Sequence, residues 1–303
     1  MEAIPRYLTA TSKSALKEKA AILEKSLSSC TLCPRRCGVN RLKGDLGYCK
    51  APAELIISSV FAHYGEESPL VGVGGSGTIF LAHCNLKCLF CQNYEISMRG
   101  EGVRYSDQEL ATAMILLQQK GCHNINFVTP THYIPAILRG LSLAIEKGLS
   151  IPLVYNCSGY ESLEVVKLLE DVIDIYMPDI KFLEQELSER YCNAPDYPDV
   201  VREVVKEMQR QVGDLVLDER GIAQRGLLIR HLVMPSHGEN TRIVLDFIRQ
   251  ELSRNAFVNI MAQYHPCFQA SRFEEISRRP TAKEHSDAVE YGRKIGLRRA
   301  GLH

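Results

Sequence analysis

From about residue 54 onward the chain alternates short runs rich in β-branched and aromatic residues with stretches whose apolar positions recur at helical spacing. Six runs read as strands: 78–82, 126–128, 151–156, 172–177, 227–233 and 258–262. Strand-then-helix repetition at this pace predicts a parallel sheet or barrel. Six such units fall short of the eight that close a full barrel, so the expected α/β fold is a partial (β/α)6 barrel, open on one side to a large substrate. Helix boundaries follow from local chemistry. Ser106 and Glu109 form a capping box ahead of the apolar stripe Leu110, Ala113, Met114 and Leu117, and Gly121 stands where a helix-ending glycine belongs. Lys147-Gly148 closes the next helix in the same way. Ahead of the barrel, Ala15, Leu16, Ala20, Leu23 and Leu27 predict an amphipathic helix over 11–28. The expected organisation is therefore a small N-terminal helical, cysteine-rich, metal-binding extension over 1–53 and a core barrel with a C-terminal helical segment over 54–303.

Charge narrows the function classes. Lys+Arg and Asp+Glu both count 36, so formal charge is zero, and no block of like charge offers a surface for nucleic acid or an anionic membrane. No apolar run reaches the roughly 20 residues of a membrane helix, and residues 1–5 do not lead from a basic stretch into an apolar one. A soluble, unexported, cytoplasmic protein is expected.

Cysteine usage changes the picture most. Eleven cysteines are many for a reducing compartment unless some bind metal. A disulfide framework is the alternative; the odd count and the crowding of seven cysteines into two tight groups oppose it. His83-Cys84-Asn85-Leu86-Lys87-Cys88-Leu89-Phe90-Cys91 spaces three thiols as C-x3-C-x2-C directly after a predicted strand, at the sheet edge where parallel folds place their chemistry. Thiolates are soft ligands for iron–sulfur clusters or zinc. A cubane held by three cysteines leaves one iron open, whereas a closed zinc centre wants a fourth ligand, for which only the adjoining His83 stands near. The other group, Cys30, Cys33, Cys37 and Cys49, lies among Pro and Gly and could close a structural zinc site, hold a second cluster, or be free structural thiols. Cys122, Cys157, Cys192 and Cys267 are isolated and read as small buried apolar residues; Cys267, just after His265-Pro266 at a predicted barrel end, is the one of these with a claim on the site.

The triplet, with Phe90 before its third cysteine, resembles the signature of the radical S-adenosylmethionine (SAM) superfamily. The runs from Gly77-Thr78-Ile79-Phe80 to Cys91-Gln92-Asn93, Met177-Pro178-Asp179-Ile180-Lys181 and Ile229-Arg230-His231-Leu232-Val233-Met234-Pro235 resemble the pyruvate formate-lyase-activating enzyme family. With Asn126-Phe127-Val128-Thr129-Pro130-Thr131-His132 and Gln263-Tyr264-His265-Pro266, the pattern is similar to its PflX-like branch over essentially the whole chain. That resemblance implies a [4Fe-4S] cluster on Cys84, Cys88 and Cys91, chelation of SAM at the open iron, and its reductive cleavage to a 5′-deoxyadenosyl radical that abstracts hydrogen. It further implies that Lys181 and Arg230 pair with the SAM carboxylate, that His265 approaches the ribose, that the Phe90 region lines the adenine, and that an electron donor such as flavodoxin or ferredoxin, and a protein substrate, are partners. Where many superfamily members carry Gly-Gly-Glu for the SAM amine, this chain has Thr129-Pro130-Thr131, whose hydroxyls and carbonyls can accept the same hydrogen bonds without a carboxylate's charge. Asn156, Cys157, Met177 and Asp179 fall where a related enzyme carries a cation site, with Asn in place of an acid and Cys in place of a hydroxyl. The glycines of 72–77 match a dinucleotide fingerprint by letter only, because they precede a strand rather than open a helix. An iron–sulfur electron carrier or a zinc-stabilised binding module is the alternative function.

Overall fold

The computed structural model describes residues 4–300; residues 1–3 and 301–303, which the two expected segments include, lie outside it. Among the described residues ten strands form one sheet: β1 Leu55–His63, β2 Ser76–Leu81, β3 Val103–Tyr105, β4 Ile125–Val128, β5 Leu153–Cys157, β6 Ile175–Pro178, β7 Val216–Leu217, β8 Ala223–Leu232, β9 Phe257–Met261 and β10 Arg299–Ala300. The helices are α1 Arg6–Thr9, α2 Lys13–Lys25, α3 Ser68–Val71, α4 Asp107–Gln119, α5 Ile134–Glu146, α6 Leu163–Leu168, α7 Gln185–Cys192, α8 Tyr197–Val212, α9 Gly238–Phe247 and α10 Ala282–Lys294.

Strands β2, β4, β5, β6, β8 and β9 are the six legible in the sequence, adjacent in that order and parallel throughout. The sheet does not close. Beyond β9 the short β10 adds a parallel edge, and at the other end β1 runs antiparallel to β2 with β3 antiparallel outside it. Strand β1 escapes the sequence pattern because its alternation slips at a bulge between Ile57 and Ser59.

Local chemistry sets the helix ends. Ser106 Oγ accepts from the Glu109 amide while the Glu109 carboxylate accepts from the Ser106 amide, and Gly121, at φ +87°, terminates the turn after α4. The same reciprocal cap, made by Thr281 and Glu284, opens α10. Such caps contribute about 1 kcal/mol each. Helix α2, capped by Ser12, buries Leu16, Ala20 and Leu23 and packs on α5; the expected helix stops at Lys25 and ends in a tighter turn, Ser26–Ser29.

Two apolar layers flank the sheet. The larger core, between strands and helices, contains Ile79, Phe127, Leu153, Tyr155, Ile229 and Ile260. A separate cluster of Leu70, Val154, Ile175, Met177, Leu215, Ala223, Leu228 and Phe257 lines the concave face. Successive strand residues point to opposite faces. Asn156, Arg230 and Asn259, each two residues beyond a member of that cluster, therefore share the concave face, as does Asn126, which is paired with Val154. The glycine-rich turn passes directly into β2 and opens no helix: a Cβ on Gly74 would lie 1.9 Å from the Gly121 carbonyl oxygen. Among the described residues no helix is long and apolar enough to cross a membrane.

Candidate functional site

The loop carrying Cys84, Cys88 and Cys91 leaves the C-terminal end of β2 and is held from several directions. His132 Nε2 lies 2.7 Å from the Ala82 carbonyl, an acceptor, so Nε2 carries the hydrogen. Burial holds this imidazole down to about pKa 3, so it is a neutral donor at ordinary pH. The His83 amide donates to the Ile96 carbonyl, Asn85 Nδ2 to the Tyr160 carbonyl at 2.6 Å, and the Leu89 amide to the Tyr191 carbonyl. His83 and Lys87 adopt φ of +71° and +58°, sparsely populated for residues with a Cβ and concentrated at functional sites. Gly100 is required opposite them, since a Cβ there would come within 2.3 Å of the His83 ring.

Cys88 is buried, and Cys84 and Cys91 are partly exposed. The Leu86 amide points at Cys84 Sγ from 3.4 Å; Cys91 Sγ lies 3.2 Å from Ser97 Oγ, in the π-helical turn Glu95–Arg99. Burial pushes the Cys84 thiol up to about 12, with Cys88 and Cys91 adding to it. The Phe90 ring is enclosed edge-on by Phe182, Tyr191 and Tyr264 at centroid distances of 5.9–6.5 Å, which fixes the backbone just before Cys91. Cys192, isolated in sequence, sits at the end of α7 with its sulfur 3.4 Å from Cys88 Sγ.

Beside the loop, the neighbouring strand ends bring charges together. Lys181 Nζ donates to Asp179 at 2.7 Å, and Arg230 Nε donates to the other Asp179 oxygen at 2.8 Å. Arg230 also donates to Glu66 at 3.2 Å and to Asn156 Oδ1 at 2.8 Å. Burial opposes the Lys181 charge, but Asp179, and Cys88 after it, outweigh burial and hold the ammonium above its usual range. Burial likewise works against Asp179, whose carboxyl is nonetheless held low by Arg230 and Lys181. The sequence-expected Lys181 and Arg230 are thus gathered around one carboxylate. Asn156 and Asp179, of the expected cation set, have their oxygens engaged by these same cations, while Cys157 is buried and Met177 belongs to the concave apolar layer.

Thr129 ends β4 at φ +59°, outlying for a β-branched residue, with its amide donating to the Asn156 carbonyl. Two residues on, the Thr131 hydroxyl donates to Glu161 at 2.9 Å, and Tyr155 donates to the other Glu161 oxygen at 2.9 Å. Burial raises the Glu161 carboxyl to about 7 in spite of these bonds. His265 reaches the loop through Gln92, whose Nε2 lies 3.2 Å from its Nδ1. Sequence reasoning missed Glu66, Glu67, His132, Glu161 and Cys192. Glu161, between Tyr160 and Ser162 in a turn-rich stretch, carried no motif signal of its own.

The second cysteine group packs against the outside of the same loop. Cys30, Cys33 and Cys49 are buried and Cys37 is half-buried, its sulfur so close to Gly47 that a Cβ there would come within 2.3 Å. Burial pushes the Cys33 thiol up to about 12 despite help from a backbone amide, and Cys49, Cys30 and Glu161 push the same way. Arg41, 2% exposed, places Nη1 4.0 Å from Cys30 Sγ and donates to the His132 carbonyl at 2.8 Å. Arg35 donates to the Asn85, Leu86 and Cys192 carbonyls and lies 3.9 Å over the Tyr48 ring. Among the described residues no three His, Cys, Asp or Glu side chains, in either cysteine group, converge as ligands of a single ion.

An open parallel α/β barrel with a three-cysteine loop after its first parallel strand defines a class, and the comparisons agree: residues 78–219 match the radical SAM superfamily, and the chain belongs to it. It is 35% identical over 289 residues to the uncharacterized protein MJ0674 of Methanocaldococcus jannaschii, covering 92% of this chain and 78% of that protein. The uncharacterized protein MJ0808 of the same organism is 23% identical over 260 residues, covering 78% of this chain and 70% of that protein. Among solved structures, methylornithine synthase (PylB) aligns over 94% of this chain and 70% of its own, with a TM-score of 0.49 and 12% identity.

Membership implies a [4Fe-4S] cluster and SAM. The donor set fits such a cluster. Three soft thiols come from one tied loop, and the Lys181 ammonium stands within electrostatic reach of Cys88.

Proposed function

We propose that the chain is a radical SAM enzyme in which Cys84, Cys88 and Cys91 hold the [4Fe-4S] cluster, with one iron left for SAM. When bound, cluster and SAM supply reductive cleavage to a 5′-deoxyadenosyl radical, which abstracts hydrogen from the substrate. The observation that carries this reading is the meeting of the tied cysteine loop with the Lys181 and Arg230 side chains at neighbouring strand ends, in a chain of this superfamily. Lys181 and Arg230 are positioned to exchange their bonds with Asp179 for the SAM carboxylate. Thr129 offers its hydroxyl and carbonyl to the amine, His265 is tethered beside Cys91 for the ribose, and the Phe90 region borders the adenine. The curved sheet limits access of water to the reacting atoms.

The finer reading is an activating-enzyme-like oxidoreductase of the PflX-like branch. It acts in the cytoplasm on a protein and is reduced by flavodoxin or ferredoxin. Residues 1–53 form its metal-binding extension, with zinc or a second cluster on Cys30, Cys33, Cys37 and Cys49. Anaerobic reconstitution with iron and sulfide, followed by SAM and a strong reductant, tests the reading: 5′-deoxyadenosine forms with the intact triplet and not with Cys88→Ala. A colourless zinc protein, or a cluster indifferent to SAM, would replace it with the binding-module or electron-carrier function.

A further inference from the structure

Beneath the mouth, the concave face carries polar groups that the cysteine loop does not use. The connection from β1 to β2 turns into the base of the open sheet. Leu70 joins the apolar layer of Val154, Ile175, Leu228 and Phe257, and Glu66 and Glu67 stand above it among the polar residues of the next layer. Glu66 accepts from Asn126 Nδ2 at 3.0 Å, Asn156 Nδ2 at 3.3 Å and Arg230 Nη1 at 3.2 Å. Glu67, 7% exposed, accepts from the single Asn259 amide, at 3.0 and 2.9 Å. Three carboxyl groups, Glu66, Glu67 and Asp179, thus face two cations, Lys181 and Arg230, and Glu67, whose carboxyl burial pushes up in spite of Arg230 and Asn259, is the one without an ion pair. A buried carboxyl without a paired cation is costly to ionise, and a bound cation would offset that cost.

Asn126 supplies an independent sign. It is fully buried, its Nδ2 is given to Glu66, and its Oδ1 accepts from no described group. Asn126 contacts Glu66, which is well supplied with donors, while Glu67, the next residue, has only Asn259; an orphan acceptor and a carboxylate with a single amide donor on one face suit a ligand with several N–H groups and a positive charge. A primary ammonium has three donors and no acceptor. The lumen is reachable, because Phe80, Val128, Leu232 and Asn259 are partly exposed although they lie on the concave face. Its flank is aromatic: Phe61 stacks on Phe80 at 5.8 Å, and Phe61 is opposite Thr78, which is itself paired with Asn126. Aromatic faces attract cations.

We propose that Glu66, Glu67, Asn126 and Asn259 form the floor of the substrate site and take a primary ammonium group on an aliphatic stem, whether of a free amine or of a lysine side chain. As a substrate assignment this rests on the radical SAM reading above. The ammonium would pair with Glu67, and it is the kind of donor that Asn126 Oδ1 lacks. Anchored at the floor, it directs the aliphatic stem toward the cysteine loop at the mouth.

Calorimetric titration of the anaerobically reconstituted full-length protein with SAM tests this, using n-butylammonium, n-butanol and butyrate as probes. Saturable binding of the ammonium alone is expected, weakened at least tenfold in Glu67→Gln and several-fold in Asn126→Ala. Equal binding of the alcohol, no saturable ammonium binding, or an unchanged Glu67→Gln would overturn the assignment. Should both variants fail to melt cooperatively, the ammonium-against-alcohol comparison in the unaltered protein decides. N-acetyl-lysine methylamide separates the two sources: its binding admits a lysine side chain, and its exclusion leaves the free amine. Ammonium binding without 5′-deoxyadenosine formation would sink the radical reading and leave the floor standing; deoxyadenosine without ammonium binding would do the reverse.

Discussion

The two cysteine groups lie on either side of one wall, yet their surroundings differ in kind. Cys84 and Cys91 are partly exposed and Cys88 is buried, beside an edge that carries Lys181 and Arg230 paired with Asp179. Cys30, Cys33 and Cys49 are buried beneath Arg35 and Arg41, whose guanidiniums are spent on backbone carbonyls. The same soft donors thus meet side-chain carboxylates and their cations in one place and guanidiniums held by backbone carbonyls in the other.

That contrast can be broken from either side. The largest effect is expected from Cys88→Ala, which should cut 5′-deoxyadenosine formation by at least about 1000-fold, roughly 4 kcal/mol of barrel chemistry, while the thermal melt of the cluster-free protein shifts little. Cys33→Ser should invert the pattern, lowering stability by about 3 kcal/mol, because it puts a hydroxyl into a buried apolar site and removes any metal there. Iron retained by the barrel triplet, measured by metal analysis, should stay near the unaltered level.

Glu161 sharpens the comparison because its charge is felt at Cys33 while its hydrogen bonds reach Thr131 at the mouth. Its folded pKa of about 7 lies above the unfolded value. The stability it contributes is therefore fully present below about pH 4.3 and is lost as pH rises through 7. Relative to Glu161→Gln, which does not titrate, the unaltered protein should lose about 2.5 kcal/mol between pH 5 and pH 8 by the same linkage, read from denaturant midpoints at the two pH values. A constant difference would mean that Glu161 stays charged throughout. The smallest change is expected from Arg35→Ala, at about 2 kcal/mol for hydrogen bonds from a charged donor; because Arg35 ties the extension to the cysteine loop, reconstituted cluster content should fall along with the melting temperature.

The repeating part of the fold was legible because its six strands carry their apolar runs between capped helices, and the three-cysteine loop after β2 because its spacing is local. Elements outside the repeat were not. Strand β1 is antiparallel and bulged, so neither the βα rhythm nor a clean alternation marks it. Glu66 and Glu67, between Gly65 and Pro69, carry no periodic or motif signal, and only the fold of their connection into the lumen sets them against Asn126 and Asn259. Cys192 reads as a small apolar residue because its partner Cys88 is 104 positions away. The Phe90 ring packs among Phe182, Tyr191 and Tyr264, contacts that sequence spacing does not reveal.

The two acids beneath the mouth arrive on a single connection, from His63 to Ser76, while Asn126 and Asn259 facing them come from β4 and β9. That connection carries no cysteine, yet through Glu66 it holds Arg230. On the proposed reading, exchanging this one segment would redraw what the interior accepts and would be felt at once by the cation above, so the scaffold's diet and its chemistry are tied by one ion pair.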